Sequence, residues 1–185
     1  MFEQTYTQID FTGIPFKKGE YESCIFKSCD FSNVELSGSF FMDCEFLGCN
    51  LTMASIFKSS FQNVKFKDCK LLGLRFDKCE PVGLSFEFKD SILDHSSFYQ
   101  CKIGKTIFKD CKLQEVDFGG AQLGGVVFDN CDLFGAIFDN TFLEKADFRT
   151  AYNYQIDPES NRLKKAKFSL QGLPGLLNKY GIEIE

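Results

Sequence analysis

Large apolar residues recur every five positions along most of this chain. One series runs from Phe11 to Phe76 and a second from Leu93 to Phe148, and every step of both falls on Phe, Tyr, Leu or Ile. Two positions before most of them stands a small or medium-sized residue, usually Cys, Ser, Ala, Val or Thr. The remaining positions are mainly polar, so the repeating unit is small–x–large–x–polar.

A five-residue period fits neither an α-helix nor a flat strand. Five residues advance a helical side chain by about 140° from its starting direction, and they reverse the face of a strand. The chain must therefore turn in every unit so that the large side chains share one axis. This pattern predicts an all-β solenoid whose coils stack like strands, about 4.8 Å apart.

The unit resembles the motif of the pentapeptide-repeat family, and matches such as Ala136–Asn140 and Ala146–Thr150 are close. The resemblance implies a right-handed, four-sided β-helix of about seven coils with 20 residues in each. The expected domains are a repeat β-helix over 1–150 and a C-terminal cap over 151–185. The expected core ladder consists of Phe26, Phe31, Phe46, Phe66, Phe108, Phe118, Phe128, Phe138 and Phe148.

The two apolar series are out of phase by two residues, and the register shift lies near 80–90. Pro81 occupies a position where a large apolar residue is expected. The alternatives are a tolerated two-residue insertion, a projecting loop that serves binding, or a bend in the axis.

The C-terminal segment predicts a short helix that Ser169 begins and Gly181 ends. Its ending, LLNKYGIEI over Leu176–Ile184, is similar to that of the Qnr quinolone-resistance and McbG-type immunity proteins, in which such an end closes the rod and forms a tail-to-tail dimer. The resemblance therefore implies a homodimer, with a monomeric cap as the alternative. The dimerisation residues would be Leu170, Leu173, Leu176, Leu177, Tyr180, Ile182 and Ile184.

Catalytic and cofactor chemistry is not indicated by any motif. The nine cysteines all occupy the small position of the unit, so within each series their spacings are multiples of five instead of the short spacings of zinc sites. We interpret them as small core residues. His95 lies at an outward position without an evident catalytic partner, and no glycine-rich phosphate loop occurs. We expect no enzyme activity, no metal and no cofactor.

Localisation and general partner class follow from charge and hydropathy. The N-terminus has no basic region followed by an apolar one, and no apolar run is long enough for a membrane helix. We therefore expect a cytoplasmic protein that does not associate with a membrane. A net charge of −5 disfavours direct binding to nucleic acid.

Residues 113–143 contain no Lys or Arg, and with Asp147 they supply an acidic band. Its members are Glu115, Asp117, Asp129, Asp132, Asp139 and Asp147. The family resemblance implies that such carboxylates mimic DNA phosphates and that the partner is DNA gyrase or topoisomerase IV, protected from quinolones or peptide toxins. The alternatives are a solubilising surface and a structural or regulatory scaffold for another protein, since a fold does not fix a function.

Overall fold

The computed structural model describes residues 1–183, which form a parallel β-solenoid. Apart from the register shift near 80–90, each coil pairs in register with the coil 20 residues further on, as Phe26 does with Phe46. The side chain of Ile184, predicted to take part in dimerisation, lies outside the described residues. Within residues 1–183, no helix is long and apolar enough to cross a membrane.

Two stacks of very short parallel strands line the rod. The seven-stranded sheet contains β1 (Thr5–Thr7), β3 (Ile25–Lys27), β5 (Glu45–Leu47), β7 (Val64–Lys67), β8 (Phe86–Lys89), β9 (Ile107–Lys109) and β10 (Val127–Asp129). The three-stranded sheet contains β2 (Glu20–Glu22), β4 (Phe40–Met42) and β6 (Ser60–Gln62). Isolated bridges continue the same pairing on the other sides of each coil.

The core consists of columns of stacked aromatic rings. All nine phenylalanines of the expected core ladder are buried. In the longest column the rings follow one another from Tyr6 to Phe168, and the centroids of Phe26 and Phe46 are 4.7 Å apart at an interplanar angle of 14°. The coil spacing of about 4.8 Å matches the thickness of offset-stacked rings, so a phenylalanine in every coil fills the axis without voids.

The polar end of each unit is explained by the backbone at the corners. Asn33, Asp68 and Gly120 have φ values of 58°, 54° and 65°, and the same left-handed conformation recurs at the last position of most units. Gly, Asn and Asp tolerate this conformation best, which accounts for their recurrence there.

The register shift is a two-residue insertion that leaves the core filled. The rings of Phe66 and Phe88, 22 residues apart, still stack with centroids 5.3 Å apart. Pro81 lies at the surface. The core space that a large side chain at position 81 would fill is occupied by the buried Leu84 and Phe86. Phe86 pairs with Val64, so it stands at a small position of the unit. The large Phe86 side chain at this small position compensates for the absence of a large apolar side chain at position 81.

The C-terminal end has a short helical cap, as predicted. Two 3₁₀ helices span Leu170–Leu176 and Asn178–Tyr180. The Ser169 side chain accepts a hydrogen bond from the Gly172 amide, and Gly181 ends the second helix in the left-handed conformation. Coil-to-coil bridges continue beyond residue 150 as far as Lys167, so a further coil lies between the repeat segment and the cap.

Candidate functional site

The outward side chains form four long faces, each named by the stack of residues at its centre. Face 1 is centred on Glu45, Lys65, Glu87, Ile107, Val127 and Asp147, and face 2 on Asp30, Asn50, Lys70, Ile92, Lys112 and Asp132. Face 3 is centred on Arg75, Ser97, Asp117 and Ile137, and face 4 on Lys102, Gln122, Phe142 and Arg162.

The interior of the rod is filled, and its surface hollows are open. One hollow, of about 890 Å³, lies at the N-terminal end between the irregular segment Thr12–Lys18 and the next coil. Among residues 1–183, no three His, Cys, Asp or Glu side chains come together as metal ligands would. The surface available to a partner therefore consists of the outer faces and the two ends.

Most of the buried cysteines donate hydrogen bonds from one coil to another. The thiols of Cys44, Cys69 and Cys131 donate to the carbonyl oxygens of Tyr21, Phe46 and Phe108 at 3.3 Å in each case. Burial raises the pKa of the Cys44 thiol to about 11 and that of Cys101 to about 12. Since the thiolate is the reactive form, these two thiols are poor nucleophiles and metal ligands.

The six predicted acidic residues do not lie on one face. Asp129 and Asp147 lie on face 1, Glu115 and Asp132 on face 2, and Asp117 and Asp139 on face 3. The solenoid separates them because five residues along the chain move a side chain to the next face. The acidic band in the sequence is therefore three pairs of carboxylates in space.

Most of these carboxylates are engaged by the protein itself. Asp129 lies 3.5 Å from the Lys109 ammonium, and the Glu115 carboxylate lies 3.2 Å from Nδ1 of His95. The hydrogen bond from Arg149 lowers the pKa of Asp147. Burial alone would raise the pKa of Asp132, but hydrogen bonds from Gln114 and Asn153 keep it below its ordinary value. An incoming basic surface would have to compete with these partners.

Face 3 carries two exposed aromatic rings that the sequence interpretation missed. Phe57 and Tyr99 are 53% and 48% exposed and stand two coils apart in one outer column. Between them lies Asp77, whose side chain is only 3% exposed and receives hydrogen bonds from the Arg75 guanidinium at 2.8 Å. The sequence does contain a signal for this pair. Phe57 and Tyr99 each follow the large residue of their unit, a position that is usually polar, and they are separated by two coils plus the two-residue insertion.

The buried Asp77 carboxylate holds this part of face 3 together. Burial alone would raise its pKa, but the hydrogen bonds and charges of Arg75 and Lys78 keep it below the ordinary value for Asp. The Arg75 side chain remains more than half exposed. Face 3 therefore presents the Arg75 cation between two aromatic rings, and the buried Asp77 carboxylate fixes the orientation of the guanidinium.

Two family models describe most of the chain as repeats of this five-residue unit. The model of the pentapeptide repeat region matches residues 74–148, and the model of pentapeptide repeats in eight copies matches residues 24–63. The chain is a pentapeptide-repeat protein. The two matches flank residues 64–73 and end before the cap, so the family assignment rests on the solenoid and not on the C-terminal segment.

Solved structures share the fold of this pentapeptide-repeat protein. Full-length QnrB1, a plasmid-mediated fluoroquinolone resistance protein, aligns at a TM-score of 0.51 and 18% identity, covering 98% of this chain and 99% of that chain. HetL, a pentapeptide repeat protein involved in heterocyst differentiation regulation from the cyanobacterium Nostoc sp. strain PCC 7120, aligns at a TM-score of 0.59 and 14% identity, covering 93% and 88%. A search of curated protein sequences gives no significant match. At these identities the comparisons establish the fold.

The C-terminal end of the repeat rod exposes much of its apolar surface. Leu170, Leu173, Tyr180 and Ile182 are exposed, and Leu170 has 82% of its surface accessible. Leu176 packs partly against the core, and Leu177 is also half-buried. Phe134 and Tyr152, both exposed, line a shallow hollow beside the first 3₁₀ helix. The predicted dimerisation residues are thus divided between an exposed set and a set that closes the core.

Proposed function

We propose that this pentapeptide-repeat protein is a non-enzymatic rod that binds a type II topoisomerase, DNA gyrase or topoisomerase IV, and protects it from fluoroquinolones or peptide toxins. The proposal of this target is supported by the fold that the chain shares, over nearly its full length, with a fluoroquinolone resistance protein. The observation that carries protein binding is the exposed arrangement of Phe57, Arg75 and Tyr99 on face 3.

Face 3 has the composition of a protein interface. Tyr and Arg are enriched at the energetic centres of interfaces, where rigid aromatic rings bury much area and lose little conformational entropy. The Tyr99 ring lies against Gly119, since a Cβ on Gly119 would stand 3.3 Å from Cδ2 of that ring. Arg75 is fixed by Asp77. A preorganised surface of this kind binds with a smaller entropic penalty than a flexible one.

The acidic residues have a supporting role in this proposal. A phosphate mimic needs carboxylates in a continuous row, and here three faces carry two each. Asp117 and Asp139 lie on face 3, on the C-terminal side of the aromatic pair. We therefore propose that they extend the contact surface towards basic groups of the partner. The other four would influence the rate of association through the long-range field.

A homodimer through the C-terminal ends would double this surface. The exposed Leu170, Leu173 and Tyr180 would be removed from water, and the open edge of the last coil would be covered. Such a dimer presents two copies of face 3 on one long rod. A second attachment point raises the effective affinity when the partner is itself two-fold symmetric.

The direct test is DNA supercoiling by gyrase at an inhibitory fluoroquinolone dose, titrated with the full-length protein. The proposal expects supercoiling to return at low molar excess of the rod over gyrase. An absence of rescue for both gyrase and topoisomerase IV would contradict protection. A matched titration without drug separates protection from direct inhibition of the enzyme.

The alternative function is that of a scaffold for a different protein partner, and face 3 favours it equally. Measuring whether the rod binds gyrase subunits distinguishes the two functions. If immobilised gyrase does not retain the rod while face 3 variants still change binding to another isolated partner, the scaffold replaces the topoisomerase proposal.

A further inference from the structure

Face 4 gathers positive charge at its C-terminal half, although the protein is acidic as a whole. The solenoid brings together cations that lie as far apart as 102 and 165 in the sequence. Lys102 and Arg162 stand at the ends of the central stack, and Lys105, Lys145 and Lys165 share the neighbouring corner column. Lys164 lies between these two columns. All six side chains are exposed.

These six cations differ from the lysines of face 1 in their partners. On face 1, Lys65, Lys67, Lys89 and Lys109 each lie within 4.0 Å of a carboxylate oxygen. Among residues 1–183, none of the six cations on face 4 makes such an ion pair. Like charges stacked on neighbouring coils repel each other, so their accumulation here disfavours the isolated rod.

The cations border a shallow groove with a floor of glycines. Gly104 and Gly124 are stacked, and a Cβ on Gly104 would lie only 3.0 Å from the carbonyl oxygen of Gly124. The groove encloses about 330 Å³ and is lined further by Lys102, Gln122, Phe142 and Glu144. The guanidinium of Arg162 lies over the Phe142 ring, 4.4 Å from its centroid. The missing side chains let another chain approach the backbone closely.

We propose that this basic groove, formed by Lys102, Lys105, Lys145, Arg162, Lys164 and Lys165 around Gly104 and Gly124, binds an extended acidic peptide segment of a partner protein. The six cations and Glu144 give the groove a charge of +5 in a chain whose net charge is −5. Three coil steps span about 14 Å, the length of about four extended residues. Carboxylates on alternate residues of such a segment would face the corner lysines.

A peptide fits the groove better than a nucleic acid does. The rest of the rod carries a charge of −10, which is the chain's −5 less the groove's +5. A polyanion longer than the groove would run over this negative surface and be repelled. A short acidic segment gains the attraction of the groove without that penalty. This surface lies on another face than the Phe57–Tyr99 pair, so the inference stands independently of the topoisomerase proposal.

The test is fluorescence anisotropy of the full-length protein with a labelled eight-residue peptide of alternating glutamate and glycine. The variant is Lys145→Glu with Lys165→Glu. Its matched control is Lys27→Glu with Lys70→Glu, which makes the same change of charge at exposed positions on faces 1 and 2. A Lys145→Arg, Lys165→Arg variant retains the charge. Circular dichroism verifies that each variant is folded.

We expect the groove variant to weaken peptide binding about tenfold or more, while the control stays within about twofold and the arginine variant binds like the wild type. Amide signals of Gly104 and Gly124 should shift when the peptide is added to labelled protein. Equal weakening by the groove and control variants would overturn the proposal, because binding would then reflect net charge alone. Tighter binding of a labelled 12-nucleotide oligo(dT) than of the peptide, or no peptide binding, would also overturn it.

Discussion

The Cys69 thiol donates a hydrogen bond to the carbonyl oxygen of Phe46, 3.3 Å away and 23 residues earlier in the chain. Ser96 donates in the same way to Leu71 at 2.8 Å, and Thr141 to Phe118 at 3.0 Å. The small position of the unit therefore has two roles: it makes room for the large side chains, and it supplies a donor that joins one coil to the next.

Replacement of Cys69 by alanine should destabilise the rod more than replacement by serine. Alanine leaves the buried Phe46 carbonyl without this donor, and such a loss costs about 1 kcal/mol in the free energy of unfolding. Serine keeps a donor of the kind that Ser96 already provides. Urea denaturation of the two variants measures the difference.

Cys111→Ala is the matched control, because that thiol donates to Lys109 within its own coil. It removes the same sulfur from a buried site without removing a hydrogen bond to a carbonyl oxygen of another coil. Equal losses of stability in Cys69→Ala and Cys111→Ala would show that packing alone governs the small position.

Gly104→Ala should be destabilising, although alanine usually favours a folded chain. The new Cβ would lie 3.0 Å from the carbonyl oxygen of Gly124, so neighbouring coils would have to separate. We expect a loss of about 1–3 kcal/mol, the range for overpacking. Gly124→Ala is the control, since its Cβ would meet the Glu144 carbonyl at an ordinary 3.8 Å. A thermal denaturation midpoint that is no lower for Gly104→Ala than for Gly124→Ala would refute this prediction.

The fold could be predicted from the sequence because its determinants are periodic. Phe26, Phe46 and Phe66 repeat at the coil length, and each stacks on the next. The compensation at the register shift could not be predicted in this way. Phe86 fills the space left by Pro81 from a position that elsewhere holds a small residue, and this depends on packing between coils.

The candidate surfaces were harder to predict, because neighbours in sequence lie on different faces. Asp129 and Asp132 are three residues apart and lie on faces 1 and 2. Lys105 and Lys165 are 60 residues apart and share one column. The face of each charged residue can be assigned from its position in the 20-residue coil, once two residues are added for the shift near 80–90. This assignment accounts for both arrangements.

Asp77→Asn should lower stability at neutral pH but not in acid. The folded pKa of Asp77 is depressed, so its contribution is complete above the unfolded pKa of about 3.9 and is lost as the pH falls through the folded pKa. We expect a deficit of about 1–2 kcal/mol at pH 7 that shrinks below about pH 4. The measurement is urea denaturation from pH 7 to pH 3. Asp139→Asn, at an exposed carboxylate on face 3, should change stability little at pH 7. A deficit for Asp77→Asn that does not vary with pH would contradict the account.

Leu170→Glu combined with Leu173→Glu should abolish association through the C-terminal end. Both leucines are exposed, so the charges disturb an interface without disturbing the core. Sedimentation velocity should give twice the chain mass of 21.1 kDa for the wild type and the single mass for the variant. Ile107→Glu, at an exposed position on face 1, should remain dimeric. A wild-type protein that sediments as a monomer would rule out the dimer.

The central claim is that face 3 binds and protects a type II topoisomerase, and the most direct measurement compares two variants in the supercoiling assay with fluoroquinolone. Phe57→Ser with Tyr99→Ser removes the exposed rings, and Asp129→Asn with Asp132→Asn removes carboxylates on faces 1 and 2. The account predicts that the first variant needs about 30-fold more protein for half-maximal rescue, as expected for loss of interface hot spots, and that the second stays within about threefold of the wild type. Full rescue by the first variant, or loss of rescue only in the second, would contradict it.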